Sequence, residues 1–528
     1  MSQESTRLES APSAQTQTVL ESGVALSRSL IWGMQRQFYA ERGLSAWTAD
    51  QVPSYITNNP FIAEIYAQII AAFIEDCLSP DGNGTPTEKP LHVVELGAGT
   101  GKFSWLLLRR LTALLEERNT RPGLLRYCMT ESAESQVIAW RDNSYLAEFV
   151  DRGLLGFGTF QAGGAGGFSL SSATKGPVAV VANYVFDSLP QDAFAVENGQ
   201  LSEFLLTTSS EGEPRSFRDL RFSFEKAGTC SSRYSDVNWN SILERYRAHL
   251  PAATVLFPAV ALQTLSTLSE MSDGRMLVLA ADKGFTREED LALLRGDPQF
   301  EFHAGNCCFS QVVNFDAIAK YFRARGGHAL LPAKHVSSLQ LCAFFEHPAK
   351  QDFSATCKAY ANAARPFGPD DLFALMSWLN AQLDEIPLPQ ALSLLRLTSW
   401  DTHAFNRMFP AIARHARQAI LERQDLRQAV LNTWANHYPL CHEDNVLAFH
   451  CGVVLLELRF FAEAYEMFRK SQQLFGPSAT TSYNLGLCCL GLNQQDQALG
   501  LMREACALDP NFEAARQSRL KLENPVQS

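Results

Sequence analysis

At 528 residues the chain is long enough for two or three domains, each with its own core. Apolar residues make up 46% and charged residues 19%, and the net charge of −11 comes without any basic run, which argues against nucleic-acid backbone binding as the main task. The 12 cysteines occur singly or as adjacent pairs, with no C-x-x-C and no ligand-spaced histidines, so free thiols in a reducing compartment are expected and a metal site is not.

Residues 1–22 are rich in Ser, Thr and Gln and predict a disordered N-terminus. They lack the charged start and apolar core of a secretory signal, and no later run is apolar over the roughly 18 residues a membrane span requires. The expected location is the cytoplasm. Residues 23–346 read as one α/β domain. It opens with helical text from Leu26 to Cys77, interrupted by Phe38, Tyr39, Trp47 and the stretch Val52 to Pro60. That interruption is either a lid over a ligand or a turn in which Pro60 starts the next helix. Residues 79–88 read as a linker.

Strands and helices then alternate: strand 91–96, helix 101–117, strand 124–130, helix 133–149 and strand 154–160. A Gly-rich connection at 163–167 and a strand at 177–182 follow. Alternating residues over 193–224 around Asn198-Gly199 predict a hairpin that could wall a substrate cleft. Helices at 236–249 and 259–271, a strand at 275–281, a strand-like run at 299–303, a helix at 315–325 and strands at 328–331 and 338–345 complete the domain.

Beyond residue 352 the strand signals stop, and 352–524 predicts a helical domain. Phe449 and Tyr483, Gly452 and Gly486, and Ala464 and Ala498 each stand 34 residues apart. That period, with aromatic and small residues at these offsets, is the tetratricopeptide signature, clear over 445–512. Helices before it are expected to complete the stack, since a lone pair cannot bury its faces.

The chemistry-bearing stretch is Glu95-Leu-Gly97-Ala-Gly99-Thr-Gly101, between a strand and a helix. Glycines permit positive φ and close approach of a ligand, and the helix start offers unpaired N–H groups. The dinucleotide fingerprint asks for G-x-G-x-x-G, whereas the spacing here is G-x-G-x-G after a carboxylate. Glu95 suits the cationic amino-acid end of S-adenosylmethionine better than a pyrophosphate. Glu131, ending the next strand, can accept both ribose hydroxyls. Asn183 and Asp187, after the strand at 177–182, point to the same sheet edge. Asp187 is the candidate for acceptor orientation or proton removal, or else simply caps a following helix.

These motifs resemble the class I adenosylmethionine-dependent methyltransferases. Glu95-x-Gly-x-Gly-x-Gly and Glu131-Ser132 with Gln136 carry that likeness. Asn183-Tyr-Val-Phe-Asp187-Ser-Leu-Pro190 with Phe194 resembles the Asn-Glu-Phe-Phe-Asp-Ala-Leu-Pro stretch of the MidA family, relatives of the mitochondrial complex I assembly methyltransferase. Tyr55-Ile-Thr57, Asp282-Lys-Gly284, Val313-Asn-Phe315 and Gly326-Gly327 echo further family segments. The resemblance implies a Rossmann-like seven-stranded methyltransferase sheet and S-adenosyl-L-methionine as cofactor. Its contacts would be Thr57, Glu95, Gly97, Gly99, Gly101, Glu131, Ser132 and Asn183, with Asn183 and Asp187 at the chemistry. By analogy it implies protein arginine as acceptor, but Tyr184 stands where the family has Glu, and a guanidinium asks for paired carboxylates.

Three readings follow from the sequence. The first is a methyltransferase whose helical repeats recruit a protein or peptide. The second is a methyltransferase-fold scaffold acting through repeat-mediated binding. The third is an NAD-dependent enzyme, weakened by the missing third Rossmann glycine.

Overall fold

The computed structural model describes the chain except residues 1–16, 49–54, 79–88, 121, 163–175, 230–231, 304, 333–338, 348–352, 365–366, 381, 440–445 and 525–528. The expected linker at 79–88, the Gly-rich connection at 163–167 and part of the expected lid therefore lie outside the described residues.

Seven strands form the central sheet: β1 Leu91–Leu96, β2 Leu125–Glu131, β3 Leu155–Thr159, β4 Gly176–Asn183, β5 Ser272–Asp282, β6 His328–Leu330 and β7 Gln340–Glu346. Their spatial order is β6-β7-β5-β4-β1-β2-β3. The five from β5 to β3 run parallel, while β7 is antiparallel to both β5 and β6. Strands buried on both faces need apolar side chains at every position. In β1, Val93 joins the core under helices Pro60–Leu78 and Lys102–Glu117, and Val94 joins the core under helices Ala259–Met271 and Phe315–Ala324. Chain order reverses direction between β1 and β4. A crevice opens at the carboxyl ends of those two strands, where open α/β sheets take ligands.

Three sequence expectations need correction. The helix expected over 133–149 is two, Glu134–Arg141 and Ser144–Asp151. Asn143 breaks it, adopting an extended conformation and capping the second helix through Oδ1, which accepts from Tyr145 N at 2.9 Å. Disorder does not run to residue 22, because Thr18–Ala25 is a strand paired antiparallel with Gln200–Ser210. Its apolar residues, Val19, Leu20, Val24 and Ala25, do not alternate with period two, which concealed it. Glu21 anchors it, accepting from Thr208 Oγ1 and Leu30 N, both at 2.9 Å. Finally, Ala252–Phe257, to which the sequence assigned no element, is a strand of the same second sheet.

That second sheet has five strands, in the order Thr18–Ala25, Gln200–Ser210, Asp192–Glu197 and Ala252–Phe257, with Leu220–Thr229 also paired to Gln200–Ser210. The expected hairpin turn is there, with Asn198 at φ 50° and Gly199 at φ 72°.

After residue 353 the described chain is helical. The first helix, Ser354–Ala363, packs on the α/β body. Asp76 caps it, accepting from Ala355 N at 3.2 Å, Thr356 N at 2.8 Å and Thr356 Oγ1 at 2.6 Å. Tyr360 donates to the Leu341 carbonyl at 2.8 Å. From Pro369 onward the helices gather around a separate core that includes Leu395, Phe405, Met408, Val430 and Leu455. Helix pairs Leu447–Glu457 with Phe461–Phe475, and Ala479–Gly491 with Gln495–Leu508, repeat one contact at the 34-residue interval. A Cβ on Gly452 would stand 2.8 Å from the Phe468 ring, and one on Gly486 would stand 2.7 Å from Met502 Cε. A larger side chain at Gly452 would have to displace the Phe468 ring, and one at Gly486 the tip of Met502. Among the described residues no helix is long and apolar enough to cross a membrane.

Candidate functional site

The crevice between β1 and β4 is a cleft of about 970 Å³. Its floor is the turn after β1. Gly97, Gly99 and Gly101 all take positive φ, at 66°, 54° and 82°, as their alternation suggested. A Cβ on Gly101 would stand 2.9 Å from Met129 Cε and 3.0 Å from the Tyr438 hydroxyl, so a side chain there must move those tips besides adopting a disfavoured φ. The turn is held from below. The Gly99 carbonyl accepts from Gln136 Nε2 at 3.3 Å and Trp140 Nε1 at 3.0 Å, and Ala98 N donates to the Thr130 carbonyl at 3.0 Å.

Two carboxylates flank the turn. Glu95 is buried, and one of its oxygens accepts from the Ser104 and Tyr127 hydroxyls, the latter at 2.7 Å. Burial outweighs those two hydrogen bonds and pushes its carboxyl up to about 7. Glu131, at the end of β2, is buried too, and burial raises its pKa against the opposing pull of the Ser132 and Gly99 amides. Its Oε1 accepts from Ser132 N at 2.9 Å and Ser132 Oγ at 3.3 Å. Its Oε2 is buried with no hydrogen-bond partner. Such an oxygen costs about 1–3 kcal/mol unless a ligand donor meets it.

Across the cleft, the Asn183 Oδ1 accepts from the Tyr66 hydroxyl at 2.6 Å, while its Nδ2 is a second buried polar atom without a partner. Tyr184 follows at φ 50°, a conformation uncommon for an aromatic residue, and its side chain lines the cleft. Asp187 does not cap a helix. It lies inside the short 3₁₀ turn Phe186–Ser188, and its Oδ1 accepts from the Ser188 hydroxyl at 2.9 Å. Its backbone N–H donates to Asp282 Oδ2 at 3.0 Å, and Asp282 Oδ1 accepts from Lys283 N at 2.8 Å. Burial raises Asp187 to about 6, with the Lys283 cation opposing the shift. Burial and the neighbouring Asp187 charge hold Asp282 well above the carboxylate range.

Of the residues singled out from the sequence, Thr57, Glu95, Gly97, Gly99, Glu131, Ser132, Asn183 and Asp187 line this one cleft, whereas Gly101 does not and faces Met129 and Tyr438 instead. Gly101 lies at the base of the turn, one residue before the helix. The expected wall is different. No described residue of the 193–224 hairpin lines the cleft. Its place is taken by helix Ile31–Arg42 and by the paired strands Glu301–His303 and Cys308–Ser310. Gln35 joins them, donating to the Ser188 carbonyl at 3.3 Å and accepting from Phe309 N at 2.9 Å. Trp47, from the aromatic interruption, lies against Gly99 and stacks on Tyr39.

At the far end of the cleft, Lys283 is paired with Glu301, and His303 shares a 2.8 Å hydrogen bond with Ser310. Burial and the Lys283 charge lower the His303 pKa. Sequence reasoning missed Gln35, Glu301 and His303 as cleft residues. Each is a lone polar residue whose neighbours come from remote segments.

Residues 69–330 match the model of a family described as "Putative S-adenosyl-L-methionine-dependent methyltransferase". Among curated proteins none matches this chain. Two solved structures from Burkholderia thailandensis are similar at low identity. One, an uncharacterised protein, is 15% identical, covers 63% of this chain and 90% of its own, and has a TM-score of 0.41. The other, described as a "likely methyl transferase" bound to S-adenosyl-homocysteine, is 16% identical, covers 73% of this chain and 83% of its own, and has a TM-score of 0.40.

Proposed function

We propose that the chain is an S-adenosylmethionine-dependent methyltransferase acting on a protein or peptide. The family match over 69–330 and the cleft agree on this cofactor. The observation that carries the reading is the buried Glu131 Oε2, unpartnered beside the glycine turn. A ribose diol supplies the donors it lacks, and the orphaned Asn183 Nδ2 marks where the same ligand needs an acceptor. On this assignment Glu131 and Ser132 hold the ribose. The Gly97–Gly101 turn and Glu95 receive the amino-acid end, with Thr57 alongside. The bound cofactor supplies an electrophilic methyl on a sulfonium. The protein's own part is alignment of the acceptor and removal of its proton. Asn183 orients the reacting end. Asp187, held by Ser188 and near neutrality in pKa, faces the acceptor side and takes the proton.

The helix pairs with their 34-residue period support a tetratricopeptide-like stack that brings the polypeptide to the cleft, in the cytoplasm. Transfer of radiolabelled methyl from S-adenosylmethionine to lysate proteins tests this. Labelled protein bands that disappear with Asp187→Asn are expected. Cofactor binding with no labelled protein would instead favour the scaffold reading, in which the helical stack alone provides the function.

A further inference from the structure

The helical region touches the cofactor turn itself. Tyr438 lies between helix Arg423–Ala435 and helix Leu447–Glu457, far along the chain from the sheet, yet it is wholly buried within the core of the α/β body. Its hydroxyl donates to the Thr100 carbonyl at 3.0 Å and accepts from Asn143 Nδ2 at 2.7 Å. Its ring packs on Trp105 of the helix that follows the glycines, with centroids 5.6 Å apart. The same hydroxyl occupies the space a Gly101 side chain would need.

Neighbouring contacts stitch the same seam. Tyr145 and His437 share a 3.1 Å hydrogen bond. Buried Lys102, the residue after Gly101, reaches Thr402 Oγ1 at 3.3 Å. Tyr55, at the start of the turn that carries Thr57, donates to Asp401 Oδ1 at 3.2 Å and packs on the His403 ring. Two separate pieces of the cleft, the glycine turn and the Thr57 turn, are therefore fastened to the helical region.

We infer that Tyr438 is a positioning residue for the cofactor site: its hydroxyl, held by Asn143, fixes the Thr100 carbonyl and with it the glycine turn. The assignment of the ligand rests on the cofactor proposed above, but the anchoring does not. A turn made of three glycines in positive φ has much backbone freedom to lose on binding, and a fixed carbonyl removes part of that cost beforehand. The coupling is reciprocal, so a bound cofactor also strengthens the seating of the helical region on the sheet. In this way the helical region acts on cofactor affinity besides any role in gathering substrate.

The test uses the full chain carrying Tyr438→Phe, which keeps the ring and removes the hydroxyl. Asn143→Asp serves as a second variant, because it keeps the helix cap but replaces the amide that donates to Tyr438. Tyr145→Phe is the control, since it keeps the ring that packs on Trp105 and Tyr438 and removes only the hydroxyl bonded to His437. Titration with S-adenosylmethionine should show Kd raised about three- to tenfold in the first two variants and unchanged in the control. Hydrogen exchange at amides 99–102 should quicken by a similar factor in the same two, with melting temperature nearly constant. Equal affinity and equal exchange in Tyr438→Phe would overturn the inference, as would an equal effect from Tyr145→Phe. Should the wild-type chain fail to bind S-adenosylmethionine, the cofactor assignment falls, and the exchange rates still decide the anchoring of the turn.

Discussion

The two ends of the cleft are built differently. The cofactor end comes from one continuous stretch, β1, the glycine turn and the helix after it, with Glu131 added from the adjacent strand. The end proposed to take the acceptor is assembled from helix Ile31–Arg42, the Tyr184–Pro190 segment, Lys283 and the short strands at 301–303 and 308–310. The first end presents unpartnered polar atoms, Glu131 Oε2 and Asn183 Nδ2. The second presents groups already matched to one another, such as Lys283 with Glu301 and His303 with Ser310. On the proposed function, the first end takes the cofactor and the second is a lined chamber whose side chains regroup around an acceptor.

Substitutions should separate the two ends. The largest effect is expected from Asp187→Asn, which should lower methyl transfer about a hundredfold while leaving the cofactor Kd within about twofold. A parallel loss of cofactor affinity would show that Asp187 belongs to the other end. Next comes Glu131→Ala, which should weaken S-adenosylmethionine about ten- to thirtyfold by calorimetry, the scale of a hydrogen bond to a charged group. Gly101→Ala should follow. Its Cβ meets Met129 and Tyr438 and its φ of 82° disfavours a side chain, so thermal unfolding should show a loss of about 1–3 kcal/mol.

The smallest effect is a pH dependence confined to the cofactor end. Glu95 has its pKa near 7 in the free protein, and a cationic ligand favours its ionised form. Binding below pH 7 must therefore expel a proton, and affinity should rise about fivefold from pH 6 to pH 8. Glu95→Gln should flatten that profile. A profile that stays steep in Glu95→Gln would move the proton to another group.

The same contrast explains what could be read before the fold was known. The glycine spacing, Glu95 and Glu131 were legible because the motif is local and its residue types have few substitutes at positive φ or at a strand end. The inner strands of the sheet were legible because strands buried on both faces, such as Gly176–Asn183, are runs of Val, Ala and Leu, whereas the count of seven came from the family resemblance. Asp187 was legible as a cleft residue, although its 3₁₀ turn and its link to Asp282 were not. Gln35, His303 and Tyr438 could not be found this way. Each gains its meaning from a partner far away in sequence, as Tyr438 does from Thr100 and Asn143. Thr18–Ala25 was lost for a related reason: without period-two alternation, its pairing with Gln200–Ser210 far along the chain is what makes it a strand.

Which nucleoside the β1–β4 crevice accepts decides between the methyltransferase and NAD-dependent readings. Calorimetric titration of the full-length chain with S-adenosylmethionine and, separately, with NADH tests it most directly. Stoichiometric binding of S-adenosylmethionine with no heat from NADH is the predicted result. Saturable binding of NADH, or no binding of S-adenosylmethionine at millimolar concentration, would contradict it.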